Sequence, residues 1–450
     1  MSRRPSSSRR RPSYSPPTAA FMQVTPPSSI RRRAAARLAT VSLPRWRRLL
    51  LVLYLLASFA DAAGKTIAAR SDVGLTLYRA LHPRVAAQVA EQVAGARRPH
   101  GNFEIFRAAS RHLITGEDLY AHYPDELQDR YKYSPAFALL FAPFAWLPWP
   151  LALFLWSALN ALVLFVAVER LLPLRAALVA LALLLLEVMR AMQNAQSNAL
   201  VAGLIILTFV ALERGRLWRA ALAIALGTSV KIFPLAALSL ALTRRRALRA
   251  TAATALIGVG MLILPLLVTT PAILVAQYHS WRAIESSDAL QRWFSVMELV
   301  HRWAGTDWPN WPMQLAGTLA LLAPLALRRD RWDEPRSRLL YLCSLLCYVV
   351  LFNHQAERAS FVIAFAGMAV WYVSEPRASW RTALFGIAFL TMPLMSTLIP
   401  VTAALRSPQA MVYRLTLPTL AIWIAIQVEL WRRGTPRAQL TRAAMPPSAG

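Results

Sequence analysis

The chain has 450 residues, 56% of them hydrophobic and only 16% charged, with a formal net charge of +28. That is too apolar for an ordinary soluble domain, and the apolar runs are too continuous for the alternating strands of an outer-membrane barrel. The charge comes from 47 arginines against three lysines, at 65, 132 and 231. The arginines cluster between apolar runs, as in cytoplasmic loops, so nucleic acid is not an expected partner.

Residues 1–45 are rich in Ser, Pro and Arg and hold no acid. Such a segment cannot bury a core and is predicted to be a disordered cytoplasmic tail. A membrane domain is expected over 46–432, with a second disordered cytoplasmic tail at 433–450. The first apolar run, from Leu49, lacks a suitable small-residue cleavage site and reads as a helix over 47–63, not a signal peptide. Arg45, Arg47 and Arg48 should hold its start in the cytoplasm. A polar segment, 64–132, follows. Within it Phe103, Phe106, His112 and Leu113 share one side of a helix over 103–115, expected to lie on the membrane surface and to end at Gly116. The carboxylates Glu104, Glu117, Asp118, Asp125, Glu126 and Asp129 accompany this helix. Aromatic neighbours place Glu104 and Asp118 nearest the bilayer.

At Tyr131-Lys132-Tyr133-Ser134-Pro135 the polar segment gives way at once to an apolar one. The run 134–168 contains Pro143, Pro148 and Pro150, so a broken or re-entrant helix is predicted. Further helices are predicted at 172–191, 198–212, 217–229, 231–242, 250–275, 312–327, 338–352, 357–374, 380–400 and 411–431. Cys343 and Cys347 sit in one of these runs and read as small buried hydrophobes.

Arginine-rich connectors near 214–219, 244–249, 328–338, 377–381 and 432–433 set the sidedness. With all of them cytoplasmic, the spans pair off into about twelve crossings with both termini inside. The opposite, outer face then receives nearly all the other polar residues, and with them any substrate site.

Three interruptions on that face could carry chemistry. Gln193, Asn194, Gln196 and Asn198 interrupt the apolar sequence between two helices, where amides are costly unless paired; they either bind sugar hydroxyls or satisfy a helix break. Lys231 lies in an apolar stretch before Pro234. It is either a snorkelling side chain or, as the scarcity of lysine favours, a point charge for a phosphate. His354 sits in the short bend Asn353–Glu357, between two spans. It is either structural or an acid, base or phosphate donor. No P-loop, dinucleotide fingerprint, nucleophilic triad or metal motif is present, so neither cofactor nor metal is expected. A transferase built this way needs a donor already in the membrane.

The ordered series NFEIFRAASRHLITGEDLY, YKYSPAFALLFAPFAWLP, LWSALNALVL, QNAQSNAL, SVKIFPL and FNHQAERASFVIAFAG resembles glycosyltransferase family 87, also called domain of unknown function 2029, over roughly 50–430. The resemblance implies an all-α, multi-pass membrane enzyme of the C-type glycosyltransferase architecture in a bacterial plasma membrane. It implies transfer of a hexose, typically mannose in mycobacterial relatives, from a polyprenyl-phosphate donor to a glycolipid or glycan acceptor on the outer face. Family members often carry an aspartate base where this chain has Asn102, and an amide cannot take a proton as a carboxylate does. Either Glu104 or Asp118 then supplies the base, or the active carboxylate lies elsewhere, with Asp61 a further carboxylate at the end of the first span, or the protein is not a standard transferase. Tyr120, Lys132, Tyr133, Gln193, Asn194, Gln196, Asn198, Lys231 and His354 form the expected binding set. A transporter or flippase of a polar lipid, using the same groups without a base, is the alternative from another class.

Overall fold

Continuous apolar runs fold here into helices, and no strand occurs among the described residues. The computed structural model describes residues 42–70, 101–124, 129–244, 247–305 and 307–432. The expected N-terminal tail apart from residues 42–45, the whole of the expected tail 433–450, and Asp125, Glu126, Arg245 and Arg246 lie outside them. The chain divides into two units, Met1–Trp46 and Arg47–Gly450, and the second holds every element of the site.

The first helix, α1, is Leu43–Arg70, and α2 is Gly101–Thr115. Gly116, at φ +82°, ends α2 in the left-handed region that glycine enters without strain. The proline-rich run breaks into α3 (Pro135–Leu140), α4 (Ala142–Trp146) and α5 (Trp149–Leu171). Pro143 and Pro150 fall in the first turns of α4 and α5, where a missing N–H costs nothing. Next come α6 (Leu174–Gln193), α7 (Asn198–Glu213), α8 (Leu217–Val230) and a 3₁₀ segment, Phe233–Thr243. The remainder is α9 (Ala247–Ile263), α10 (Pro271–Asp288), α11 (Val296–Ala304), α12 (Trp311–Leu327), α13 (Pro335–Leu351), α14 (Phe361–Ser374), α15 (Ser379–Phe389) and α16 (Pro408–Trp431).

The core is built on α7 and α14, which are apolar on every face and buried nearly all round. α7 packs against α5 and α8, and α14 against α13 and α6. By contrast, only 22% of the most apolar window of Ala247–Leu267 is buried. Its outer surface is fit to face lipid. Among the described residues four helical stretches are long and apolar enough to cross a membrane: Leu43–Ala68, Trp149–Leu171, Ala247–Leu267 and Pro408–Trp431. Others are shorter, such as the 16 residues of α7, about 24 Å against a hydrocarbon core of about 30 Å. By length and composition these four are the candidate crossings, which leaves the expected count of about twelve unconfirmed.

Arginines and acids meet at one end of the helices. Arg47 pairs with Glu169 at the end of α5, and Glu213 at the end of α7 holds both Arg244 and Arg338. Arg336 pairs with Glu375 at 2.7 Å and Glu429 at 2.9 Å, and Arg381 with Glu429 at 2.7 Å. The opposite ends of α8 and α13 line the site, with Val230 from the first and Tyr348 and Val349 from the second.

α2 departs from its expected place on the membrane surface. Phe103, Phe106, His112 and Leu113 are all buried, because Phe137, Phe141 and Trp156 offer the helix an aromatic face within the protein. Phe106 meets Phe137 at 5.2 Å and Trp156 at 5.9 Å between ring centroids, and Phe103 meets Phe141 at 5.8 Å. These are edge-on contacts of the kind aromatic rings favour.

Candidate active site

Three local devices bring the site together. The first is the helix break at Lys231. α8 stops at Val230, and Lys231 takes an extended backbone (φ −146°, ψ 143°) before Pro234 restarts the chain as a 3₁₀ segment. The second is Ser134. Its Oγ accepts from Phe137 N, capping α3, and donates to Ser229 O at 2.5 Å. That one hydroxyl ties the polar junction to the lysine break and sets Lys132 and Tyr133 beside Lys231. The third is the bend after α13. Asn353 Oδ1 accepts from Gln355 N (3.0 Å), Asn353 O from Ala356 N (3.1 Å), and Ala356 O from Phe294 N (3.1 Å). These bonds fix the backbone that carries His354 and Glu357.

Between these devices lies a cavity of about 610 Å³. Its polar wall includes Asn102, Lys132, Tyr133, Lys231, His354 and Glu357. Its apolar wall is Ile232, Phe233, Leu235, Ala236, Val349 and Phe352. Lys231 Nζ lies over the faces of Tyr133 (5.6 Å) and Phe233 (6.0 Å), an arrangement that favours a cation. No carboxylate comes within 4.0 Å of that ammonium among the described residues, although Glu357 faces the same space. Burial pushes the Lys231 pKa down, and the Glu357 charge partly opposes this.

The remaining charges are anchored. Lys132 Nζ contacts Asp288 at 2.9 Å and Asp129 at 3.9 Å. Burial works against its charge, but Asp288 and Asp129 outweigh that and raise its pKa. Asp288 also accepts from Gln291 (2.8 Å) and Gln355 (3.3 Å). His354 Nδ1 meets Gln314 Nε2 at 3.2 Å, while its Nε2 has no hydrogen-bond partner among the described residues. Burial lowers its pKa, favouring the neutral ring, against a weaker pull from Asp288.

Asn102, Lys132, Tyr133, Lys231 and His354, named from sequence, line the cavity together. Asn102 Nδ2 donates to Asn194 O at 3.0 Å. Gln196 sits one layer behind, accepting from Tyr133 Oη (3.3 Å) and donating to Glu357 Oε2 (2.8 Å). The remaining residues are elsewhere. Glu104 accepts from Trp149 Nε1 at 2.5 Å. Asp118 accepts from Tyr120 N (3.1 Å) and Ser280 Oγ (3.1 Å). Tyr120 is buried and donates to Tyr133 O at 2.7 Å. Gln193 accepts from Arg190, and Asn198 is buried at the start of α7. Asp61 pairs with the buried Lys65 at 2.8 Å. Neither Glu104 nor Asp118 belongs to the cavity lining. Glu357, not singled out from sequence, does. Among the described residues no group of three His, Cys, Asp or Glu stands close enough to hold a metal.

The fold and the cavity define a helical membrane protein with an amphipathic binding site at one end of its helices. Residues 131–353 match the model of glycosyltransferase family 87. The resemblance read from the ordered motifs therefore holds over that stretch, which contains Lys132, Tyr133 and Lys231 and ends one residue before His354; Asn102 and α2 precede it. No curated protein matches the chain. Among solved structures, the chain is similar to ArnT from Cupriavidus metallidurans, crystallised with undecaprenyl phosphate. Identity is 15% and the TM-score 0.44, over 88% of this chain and 72% of that one.

Proposed function

We propose that this protein transfers a hexose, with mannose the first to test, from a polyprenyl-phosphate donor to a glycolipid or glycan acceptor on the outer face of a bacterial plasma membrane. The observation that carries this reading is Lys231: an ammonium with no carboxylate within 4.0 Å among the described residues, set where the polar and apolar walls of one cavity meet. A lipid phosphodiester has the matching halves. Its phosphate suits the point charge of Lys231, and its first isoprene units suit Ile232, Phe233, Leu235 and Val349.

The chemistry follows from those placements. The acceptor oxygen bonds to the anomeric carbon as the bond from that carbon to the phosphate oxygen breaks. Negative charge grows on the departing polyprenyl phosphate, and an ammonium held in place by the fold stabilises it without having to reorient as water must. The acceptor's proton must pass to a base. The amides of Asn102 and Gln355 are placed to donate to sugar hydroxyls. The family match over 131–353 supports glycosyl transfer over transport.

The test is purified protein with a panel of radiolabelled polyprenyl-phosphate sugars and membrane extract as the acceptor source. Label should leave the polyprenyl phosphate for a second product with at least one donor. Label that crosses a bilayer still attached to its lipid would instead establish a flippase.

A further inference from the structure

The cavity holds a cation and a carboxylate that face the same space without closing into an ion pair. Lys231 and Glu357 attract one another, yet no contact within 4.0 Å forms. A short series of side chains keeps them apart. The Tyr133 ring lies under Lys231 at 5.6 Å. Tyr133 Oη donates to Gln196 Oε1 at 3.3 Å, and Gln196 Nε2 donates to Glu357 Oε2 at 2.8 Å. With its Oε1 committed to Tyr133, the Gln196 amide can present only its N–H to Glu357. Glu357 is exposed to the cavity it lines, although protein atoms surround that cavity densely.

The neighbouring Arg358 does not neutralise it. Arg358 makes a two-pronged pair with Glu187 at 2.7 and 2.8 Å, inside the helix bundle. One oxygen of Glu357, Oε2, is thus held by Gln196, and among the described residues no hydrogen bond reaches the other, on a side chain that lines the cavity. Coordinated orientation on one oxygen and an open second oxygen are what a proton acceptor needs.

We infer that Glu357 takes the proton of the acceptor hydroxyl, and that Gln196 and Tyr133 position it at its distance from the phosphate site at Lys231. This rests on the transferase reading above and names a base that reading leaves open. In the step, the acceptor O–H proton passes to the free Glu357 oxygen while the acceptor oxygen bonds to the anomeric carbon. The bond from that carbon to the phosphate oxygen breaks, and its electron pair leaves on polyprenyl phosphate. The proton then returns to that phosphate or to water, restoring the carboxylate.

The groups facing Glu357 are Lys231 after α8, Asp129, Arg130, Lys132 and Tyr133 at the junction, Glu285 on α10, and His354 in its own bend. Burial, reinforced by Asp129, raises the Glu357 pKa against the opposing pull of Lys231 and Lys132. A base must be ionised, so transfer should fall as the pH drops through a value above the usual carboxylate range.

The experiment uses the full chain in detergent, as wild type, Glu357→Gln, Glu357→Asp and Gln196→Leu. Two quantities are read: sugar transfer against pH, and binding of polyprenyl phosphate alone. Glu357→Gln should transfer about 10²-fold or more slowly, the usual scale of general-base catalysis, and lose the acid limb. It should bind polyprenyl phosphate at least as tightly as wild type, since a negative charge has gone. Gln196→Leu should slow transfer and move the acid limb, which a merely structural glutamine would not do. Wild-type transfer by Glu357→Gln overturns the proton acceptor alone. Folded Glu357→Gln that no longer binds polyprenyl phosphate also overturns it, because the carboxylate then shapes the cavity. If Glu357→Gln does not fold, Glu357→Asp decides: a displaced acid limb supports the inference and an undisplaced one overturns it. A wild type that binds polyprenyl phosphate but transfers no sugar overturns the transferase reading, and the base with it.

Discussion

Lys231 and Asn102 show how far single residues could be judged before their neighbours were known. Lys231 stood out as a charge in an apolar run, and its surroundings sharpen the expectation. Lys231→Met should nearly abolish transfer while membrane expression stays normal, since methionine suits the surrounding aromatics without offering a charge. Lys231→Arg should recover only part of the rate: a guanidinium can still stack over Tyr133, but it is larger and flatter and sets its charge differently from a compact ammonium. A sugar-transfer assay on both variants checks this, and full activity in Lys231→Met would return the residue to a snorkelling role. Asn102 is different. Its amide N–H donates to Asn194 O, so Asn102→Asp would set a carboxylate against a carbonyl oxygen. The cost should be about 1–3 kcal/mol for the lost donor, seen as a lower Tm and slower transfer. A faster Asn102→Asp enzyme would mean that the bond to Asn194 is dispensable and that a carboxylate at this position serves the acceptor better than an amide. Glu357 was not legible for a physical reason. In sequence it is one of several polar residues of the bend, and only the fold sends the adjacent Arg358 to Glu187 and leaves Glu357 at the cavity.

Helix by helix, apolar runs and prolines located most of the bundle, because a backbone in lipid must satisfy its own hydrogen bonds, although the helix predicted over 250–275 ends at Ile263 and the one over 380–400 at Phe389. The run 198–212 became Asn198–Glu213, and 217–229 became Leu217–Val230. α10 and α11 escaped notice because they carry polar and charged residues in a region read as a loop. Burial was also illegible: α14 and α9 look alike as apolar strings, yet one is enclosed by helices and the other largely bare. Which helix is enclosed depends on close approach, and two glycines permit it. A Cβ on Gly203 would lie 2.9 Å from Leu164 N, and one on Gly367 would lie 2.8 Å from Cys343 O. Both obstacles are backbone, so they cannot rotate away. Gly203→Ala and Gly367→Ala should each push a helix pair apart at a cost of about 1–3 kcal/mol. Thermal unfolding in detergent should show a lowered Tm for both, while Gly258→Ala, which meets nothing within 4 Å, stays near wild type. Equal Tm values across the three would mean that these helix pairs are packed less closely than described.

For the whole molecule, charge and chemistry separate along the helix axes. Arg47, Arg244, Arg336, Arg338 and Arg381 join Glu169, Glu213, Glu375 and Glu429 at one set of helix ends. Lys231, His354 and Glu357 gather at the other set. Basic residues beside spans are retained in the cytoplasm, so the arginine end should be inside and the cavity outside. The acids do not cancel this argument, since Asp and Glu contribute little to orientation. Reporter fusions after Arg331 and after Arg377 should therefore report cytoplasm, and fusions after Asp129 and after Trp308 the outer side. Cysteine labelling gives an independent reading: an impermeant maleimide added to whole cells or spheroplasts should modify a cysteine at Asp307, 87% exposed on its side chain, but not one at Arg329. The native Cys343 and Cys347 are buried and should stay silent. Labelling at Arg329 with protection at Asp307 would invert the molecule. The cavity would then open to the cytoplasm, where a nucleotide-activated sugar is available, and the case for a lipid-borne donor drawn from the outer leaflet would be lost.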